Sequence, residues 1–138
     1  FATTHDLDIV FIDTQGTNNT ASNELTPMAD VVLMPLCPGG FDHLASRNNI
    51  GRISNLRDDQ EAWVVFNQCP ATSSREARTL RAAWKINRPQ INISRRFIPI
   101  KKVFRSAAES GLGIVELEPG DNTSRQMRDL AIEIGLVA

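Results

Sequence analysis

An aspartate at the end of an apolar run is the first residue in this sequence whose position suggests chemistry. Asp13 ends the stretch DIVFID, residues 8–13, and is followed directly by Thr14, Gln15 and Gly16. A charge at the tip of an apolar strand must be solvated, paired or held near a metal ion. A carboxylate there can hold a water of Mg²⁺, and a following glycine lets a backbone N–H approach a terminal phosphate. The stretch therefore favours a nucleotide site; the alternative is an aspartate that caps the next turn.

The elements that must position Asp13 alternate between strands and helices. Apolar runs without strict alternation predict strands covered on both faces at residues 8–13, 31–36 and 62–67. Apolar residues at helical spacings predict helices at residues 41–57, from Ser73 or Ser74 to Lys85, and from Thr123 or Ser124 to Ile134. This alternation predicts an α/β fold, with a mostly parallel sheet and helices on both faces.

Residues 91–119 predict three shorter elements. INISRRFIPI contains a short strand, VFRSAAES a short helix ended by Gly111, and GIVELEP a final strand or strand-like turn. No internal repeat or linker interrupts the chain, and its 138 residues suit one domain with a sizeable core. We therefore expect residues 1–138 to form a single α/β domain.

The predicted strand ends bring polar residues to one edge of the sheet. In open parallel sheets, ligands bind beyond the carboxyl ends of the strands. Those ends carry Asp13, then Cys37 with Pro38, and then Asn67 with Gln68. We expect the loops that follow these strands to gather there.

Four segments, taken in order, resemble a known family. DIVFIDTQG, ADVVLMPLCPGGFD, WVVFNQCP and VFRSAAESGLGIVEL are together similar to the later part of the ParA/MinD-like P-loop ATPases, especially the partition ATPases of plasmids and chromosomes. The resemblance covers nearly the whole chain and rests on order and spacing. It implies a P-loop NTPase-like fold that binds ATP and Mg²⁺.

The resemblance also implies roles for individual residues. Asp13 matches the catalytic Walker B aspartate, which holds Mg²⁺ through water, and Thr14 to Gly16 match the switch that senses the γ-phosphate. Asn67 matches the asparagine that reads adenine, since its amide can both donate to and accept from a purine edge. Pro70 and the turn from Glu118 to Asp121, which includes Pro119, would flank the base.

One required part of the family pattern is missing from this sequence. Nowhere is there a G-x-x-x-x-G-K-[ST] loop or the family's variant with an extra lysine, and this loop cradles the phosphates. The first strand, loop and helix would precede Phe1, so the chain is interpreted as the C-terminal part of an ATPase domain. Gln15 also departs from the usual switch residue. We expect ATP hydrolysis by the intact parent and not by this chain alone.

A basic segment spans residues 75–105. It holds ten Lys or Arg against the single acid Glu76, in a chain of net charge −1. Such a segment favours nonspecific binding of DNA phosphates, whereas a solvated helix face is the plain alternative. Spacings of three, three and four put Arg75, Arg78, Arg81 and Lys85 on one helical stripe. The remaining candidates are Arg95, Arg96, Lys101, Lys102 and Arg105.

Composition limits the remaining classes of function. The chain is 41% hydrophobic and 22% charged, without an apolar run long enough to span a bilayer, and no export signal precedes residue 30. The wide spacing of Cys37 and Cys69 predicts reduced, packed thiols rather than a metal site. His5 and His43 are not expected to be catalytic. These features indicate a cytoplasmic protein.

Three hypotheses of function follow from the residues and the resemblance. The leading one is a nucleoid-associated partition ATPase that dimerises with ATP, binds DNA nonspecifically and has a centromere-binding partner protein. A MinD-like ATPase recruited to membranes is disfavoured, because the last helix has two arginines at its start and acids later. A DNA-binding or interaction module that works without ATP, on a degenerate NTPase fold, is the third.

Overall fold

A computed structural model describes most of the second half of the chain and part of the first. The described residues are 7–14, 20–38, 56–70, 91–137 and the separate positions 75, 78, 79, 81 and 82. The predicted helix at residues 41–57 lies almost entirely outside them. Of the predicted helix that ends at Lys85, only the separate positions are described, and all five are helical.

Three parallel strands form the sheet of the described chain. They are β1 (Val31–Leu36), β2 (Glu61–Cys69) and β3 (Asn92–Pro99), arranged in the order β1-β2-β3. In register, Val31 pairs with Glu61 and Leu36 with Phe66, and Trp63 pairs with Asn92. The expectation of an α/β fold with a parallel sheet is therefore confirmed, and all three strands lie where the sequence predicts them.

The core surrounds β2, because β2 has strands on both edges and apolar side chains on both faces. Val64, Val65 and Phe66 are at most 1% exposed. On one face, Val64 and Phe66 pack with Met34 and Leu36 of β1 and with other apolar side chains. On the other face, Val65 packs with two residues of the last helix, Leu130 and Ile134. Burial on both faces explains why the sequence of β2 is a continuous apolar run.

Four helices are described besides the separate helical positions. They are α1 (Thr20–Leu25), α2 (Lys102–Glu109), α3 (Ile114–Leu117) and α4 (Asn122–Glu133), and a 3₁₀ turn at Thr26–Met28 follows α1. The predicted α2 and α4 are confirmed to within a residue or two, whereas α1 was not predicted. Gly111, with φ +67°, ends α2 as the sequence predicts. Within the described residues, no helix is long and apolar enough to cross a membrane.

The prediction of a strand or strand-like turn at GIVELEP is wrong, because residues 114–117 form the short helix α3. The carboxylate of Glu116 accepts the N–H of Gly113 at 2.7 Å, which satisfies a backbone donor at the start of the helix. The buried hydroxyl of Ser124 lies 2.9 Å from the carbonyl oxygen of Ile114. Local and tertiary hydrogen bonds therefore override the strand propensity of Ile114 and Val115.

The prediction of a strand at residues 8–13 is also wrong in the described structure. Residues 7–14 form neither helix nor strand, and no described strand pairs with them. Phe11 is 75% exposed, and its apolar neighbours Ile9, Val10 and Ile12 are exposed as well. A strand needs a partner to bond its backbone groups, and the described chain supplies none here.

The outer edge of β1 has no described partner either. The N–H of Glu61 donates to the carbonyl of Asp30 at 3.0 Å, so alternate residues of β1, starting from Val32, present their backbone groups to β2. Val31, Leu33 and Pro35 present theirs to the outer edge. Pro35 has no N–H to donate, which suits a residue whose backbone faces away from the neighbouring strand.

Candidate functional site

The carboxyl end of β2 holds the predicted adenine-reading residue in a fixed backbone geometry. Gln68 has φ +53°, the left-handed region that non-glycine residues rarely adopt, and the Oδ1 of Asn67 accepts the N–H of Gln68 at 2.8 Å. The register with β3 shifts at this point, so that Phe66 pairs with Phe97 and Cys69 with Pro99. The Asn67 side chain is thus turned toward its own backbone, and its amide N–H groups make no hydrogen bond with any described residue.

The other predicted nucleotide-site residues are spread over different parts of the described chain. Asp13 and Thr14 are exposed and are not on a strand, so the sheet does not align Asp13 with Asn67. Pro70 is exposed directly after β2. Pro119 is exposed in the turn before α4, where its carbonyl oxygen accepts Nη1–H of Arg128 at 3.1 Å. Gly16 lies outside the described residues.

The two cysteines lie at the ends of neighbouring strands and form no disulfide. Burial raises the pKa of the Cys69 thiol, and the nearby Cys37 raises it further. A thiol with a raised pKa is mostly protonated at neutral pH and is a poor nucleophile. Among the described residues, no three His, Cys, Asp or Glu side chains cluster as a metal site would require. Cys69 is buried, in keeping with the predicted packed thiol, and Cys37 is half-buried.

The basic segment separates into three groups in the structure. On the predicted helical stripe, Arg75 and Arg78 are exposed and Arg81 is half-buried, whereas Lys85 lies outside the described residues. Arg95 and Arg96 lie on β3 and are exposed. Lys101, Lys102 and Arg105 lie at the start of α2 and are exposed too. All the described arginines and lysines of this segment except Arg81 are therefore open to solvent.

An irregularity in β3 turns its two arginines toward α4. Two steps along β2, from Val64 to Phe66, correspond to four steps along β3, from Ile93 to Phe97, so β3 carries two extra residues. Such a bulge leaves backbone groups without ladder partners and re-aims side chains.

Side chains take over these unpaired backbone groups. The buried Ser94 Oγ accepts the N–H of Arg96 at 2.9 Å. From α4, Oε1 of Glu133 accepts the N–H of Arg95 at 2.9 Å, and its Oε2 accepts the hydroxyl of Ser94 at 2.8 Å. The carboxylate of Glu133 therefore joins α4 to the bulge.

Three acids of α4 and its cap face cations of the basic segment. Asp129 pairs with Arg96 at 3.0 Å, and Glu133 lies 3.7 Å from the guanidinium of Arg95. Hydrogen bonding by Thr123 lowers the pKa of Asp121, and the charge of Lys101 adds a smaller effect. The sequence prediction missed these acids, since residues so far apart in the chain leave no local signal. Their effect is to offset part of the positive charge of the basic segment.

Lys102 and Arg105 make no ion pair with any described acid. They share the first turns of α2 with Lys101, and no acid lies in the first turn. Cations at a helix N-terminus oppose the helix dipole, and anions there are stabilising. This end of α2 is therefore the part of the basic segment best placed to attract a phosphate.

Comparison with known proteins assigns no family. No protein-family model matches the chain, and no curated protein is significantly similar to it.

Proposed function

We propose that the chain is the later part of a ParA-like ATPase domain for DNA partition, which binds DNA nonspecifically through its basic segment. The observation that carries the proposal is the exposed cationic surface formed by Lys101, Lys102 and Arg105 at the start of α2. Lysine and arginine side chains on such a surface contact phosphates and carry no base specificity.

The helix itself supports an anionic ligand. A helix is more stable with acids in its first turn, yet α2 has Lys101 and Lys102 there and no acid. The two lysines therefore destabilise α2 slightly, and a bound phosphate at this end of the helix would offset that effect. DNA supplies phosphates at regular spacing, in keeping with several cations in one segment.

The sheet supports the expectation of a larger domain. Edge strands in soluble proteins are usually covered, shortened or broken by charge or proline; Pro35 removes one N–H from the outer edge of β1, but this edge pairs with no strand among the described residues. The apolar residues 9–12 are exposed beside no described strand. One more strand from the parent protein would give both segments a partner. In the ATPase family, this would be the strand that leads into the phosphate-binding loop.

The described residues do not fit a complete ATP–Mg²⁺ site. Asp13 offers one carboxylate to a water of Mg²⁺, but Mg²⁺ on a nucleotide also needs phosphates held by a dedicated loop, and the sequence contains no such loop. We therefore derive no step of ATP hydrolysis from this chain. In the proposed parent, ATP-dependent dimerisation and a centromere-binding partner would control DNA binding.

Titration of a short fluorescent duplex DNA tests the DNA-binding half of the proposal. We expect binding that weakens steeply between about 50 and 200 mM salt, because each phosphate contact releases counterions. The double variant Lys102→Gln/Arg105→Gln should bind more weakly, and the slope of log affinity against log salt should fall by about 2. Arg125→Gln, which removes an exposed cation outside the segment, is the matched control.

Two results would contradict the proposal. One is affinity that does not depend on salt. The other is an equal loss of affinity in Arg125→Gln and in the double variant. Repeating the titration on the parent protein with ATP and Mg²⁺ distinguishes the partition ATPase from the ATP-independent module. An affinity for DNA that does not change with nucleotide would favour the module.

A further inference from the structure

The two arginines of the β3 bulge are held by α4 in different ways. Glu133 makes several contacts: it accepts the N–H of Arg95, it accepts the hydroxyl of Ser94, and its side chain is only 16% exposed. Glu133 is therefore part of the packing of α4 on β3. The side chain of Arg95 is 80% exposed, so its guanidinium can turn to another anion while Glu133 keeps its contacts with the N–H of Arg95 and the hydroxyl of Ser94.

Asp129 lies one helical turn before Glu133 and has a simpler environment. Its carboxylate pairs with Arg96 at 3.0 Å, and the two side chains are 42% and 49% exposed. Among the described residues, Arg96 is the one ion-pair partner of this carboxylate. Exposed ion pairs of this kind add little to folding stability. The ion pair between Asp129 and Arg96 is therefore not explained by its contribution to folding stability.

The pair has a clear consequence for anion binding. A phosphate that approaches Arg96 must share the guanidinium with Asp129 or displace it, and in both cases it stays close to the negative charge of Asp129. Like charges at such distances repel, and salt weakens the repulsion only partly. Arg96 is thus a weaker phosphate ligand than Lys102 or Arg105, for which the described residues include no ion-pairing acid.

We propose that Asp129 competes with DNA phosphate for Arg96 and so limits the affinity of the basic segment for polyanions. The inference rests on the proposed DNA-binding function and adds a control to it. Lys102 and Arg105, for which the described residues include no ion-pairing acid, are open to DNA, whereas Arg96 contributes less while it is paired with Asp129. The acid on α4 thereby keeps nonspecific binding weak enough to be reversed.

A double-mutant cycle on the chain tests this competition. Duplex DNA is titrated over a salt series with the wild type, Asp129→Asn, Arg96→Gln and the combined variant. We expect Asp129→Asn to bind about three- to tenfold more tightly at low salt, with a salt slope steeper by about 1. Arg96→Gln should change wild-type affinity less than about twofold, but should abolish the gain in the combined variant.

A matched control removes the effect of net charge alone. Glu24→Gln takes away an exposed acid on α1, and it should change the affinity less than Asp129→Asn does. Thermal unfolding of each variant checks that α4 remains docked. If Asp129→Asn cannot be purified in folded form, Asp129→Ser replaces it, since the competition requires only the loss of the charge.

The outcomes separate this inference from the proposed function. Wild-type binding with the expected salt dependence, but no larger gain in Asp129→Asn than in Glu24→Gln, would overturn the competition and leave DNA binding intact. The same holds if Arg96→Gln weakens the wild type as much as it weakens Asp129→Asn. Absence of DNA binding in every variant, even at low salt, would overturn both.

Discussion

Residues 9–12 and residues 63–66 are short runs of similar apolar side chains in opposite environments. The first run is Ile-Val-Phe-Ile and the second is Trp-Val-Val-Phe. In β2, the second run has a strand on each side, and Val64, Val65 and Phe66 are almost fully buried. In the first run, every side chain is at least 42% exposed. The difference lies in the neighbours of each run and not in its composition.

The contrast shows that an apolar run forms a strand only where neighbouring strands bond its backbone groups. Apolar and β-branched residues favour a pleated, half-buried surface, but their backbone groups still need hydrogen bonds from another strand. β2 receives these bonds from β1 and β3. β3 is also an edge of the described sheet, yet it is held in place because α4 packs on it and Glu133 bonds its bulge.

The largest expected effect comes from truncating matching phenylalanines in the two runs. Phe66→Ala should lower the free energy of unfolding by about 3–5 kcal/mol, because it leaves a cavity in a packed core. Phe11→Ala should change it by less than about 0.5 kcal/mol, since the ring is already exposed. Denaturant unfolding measures both.

Phe66→Leu, which leaves a smaller cavity, serves if Phe66→Ala does not fold. A large loss of stability in Phe11→Ala would break the comparison. It would mean that residues 9–12 are buried in solution, by a strand or by a second molecule.

A smaller effect is expected where α4 holds β3. Glu133→Ala should cost about 1–3 kcal/mol, because it leaves the N–H of Arg95 without its acceptor and leaves the buried Ser94 hydroxyl only the carbonyl oxygen of Arg96, at 3.3 Å. Asp129→Asn, one turn away, should cost no more than about 1 kcal/mol, as expected for an exposed ion pair. Equal costs in thermal or denaturant unfolding would show that the bulge does not depend on Glu133.

The elements with local signals were predictable from the sequence. β1 has the predicted bounds, and Gly111 marks the end of α2 because only glycine reaches its positive φ without strain. The strand predicted at residues 8–13 was wrong, since strand propensity does not indicate whether a neighbouring strand is present. The strand or strand-like turn predicted at GIVELEP was wrong, because Ser124 and Glu116 supply hydrogen bonds that favour the helix α3. The contacts of Glu133 with β3 join residues that are 38 and 39 apart in sequence, and no pattern in either segment predicts them.

The predicted site residues divide in the same way. The exposed cations of the basic segment were visible as a charge run, but the acids that pair with Arg95 and Arg96 were not. Sequence reasoning therefore predicted which residues are cationic and missed how much of their charge is already balanced.

The smallest effect concerns the start of α4, the helix that covers one face of β2. Asp121 caps this helix by accepting the N–H of Thr123 at 2.7 Å, and this hydrogen bonding lowers its pKa. A carboxyl whose pKa is lower in the folded protein stabilises it above the unfolded pKa of about 3.9, and this contribution is lost as the pH falls through the folded value.

Asp121→Asn should match the wild type at neutral pH, because asparagine caps helices equally well, and should lose less stability on acidification. Thermal unfolding from neutral to acidic pH measures the difference. Parallel curves for the two proteins would mean that the charge of Asp121 does not help to hold α4 against β2.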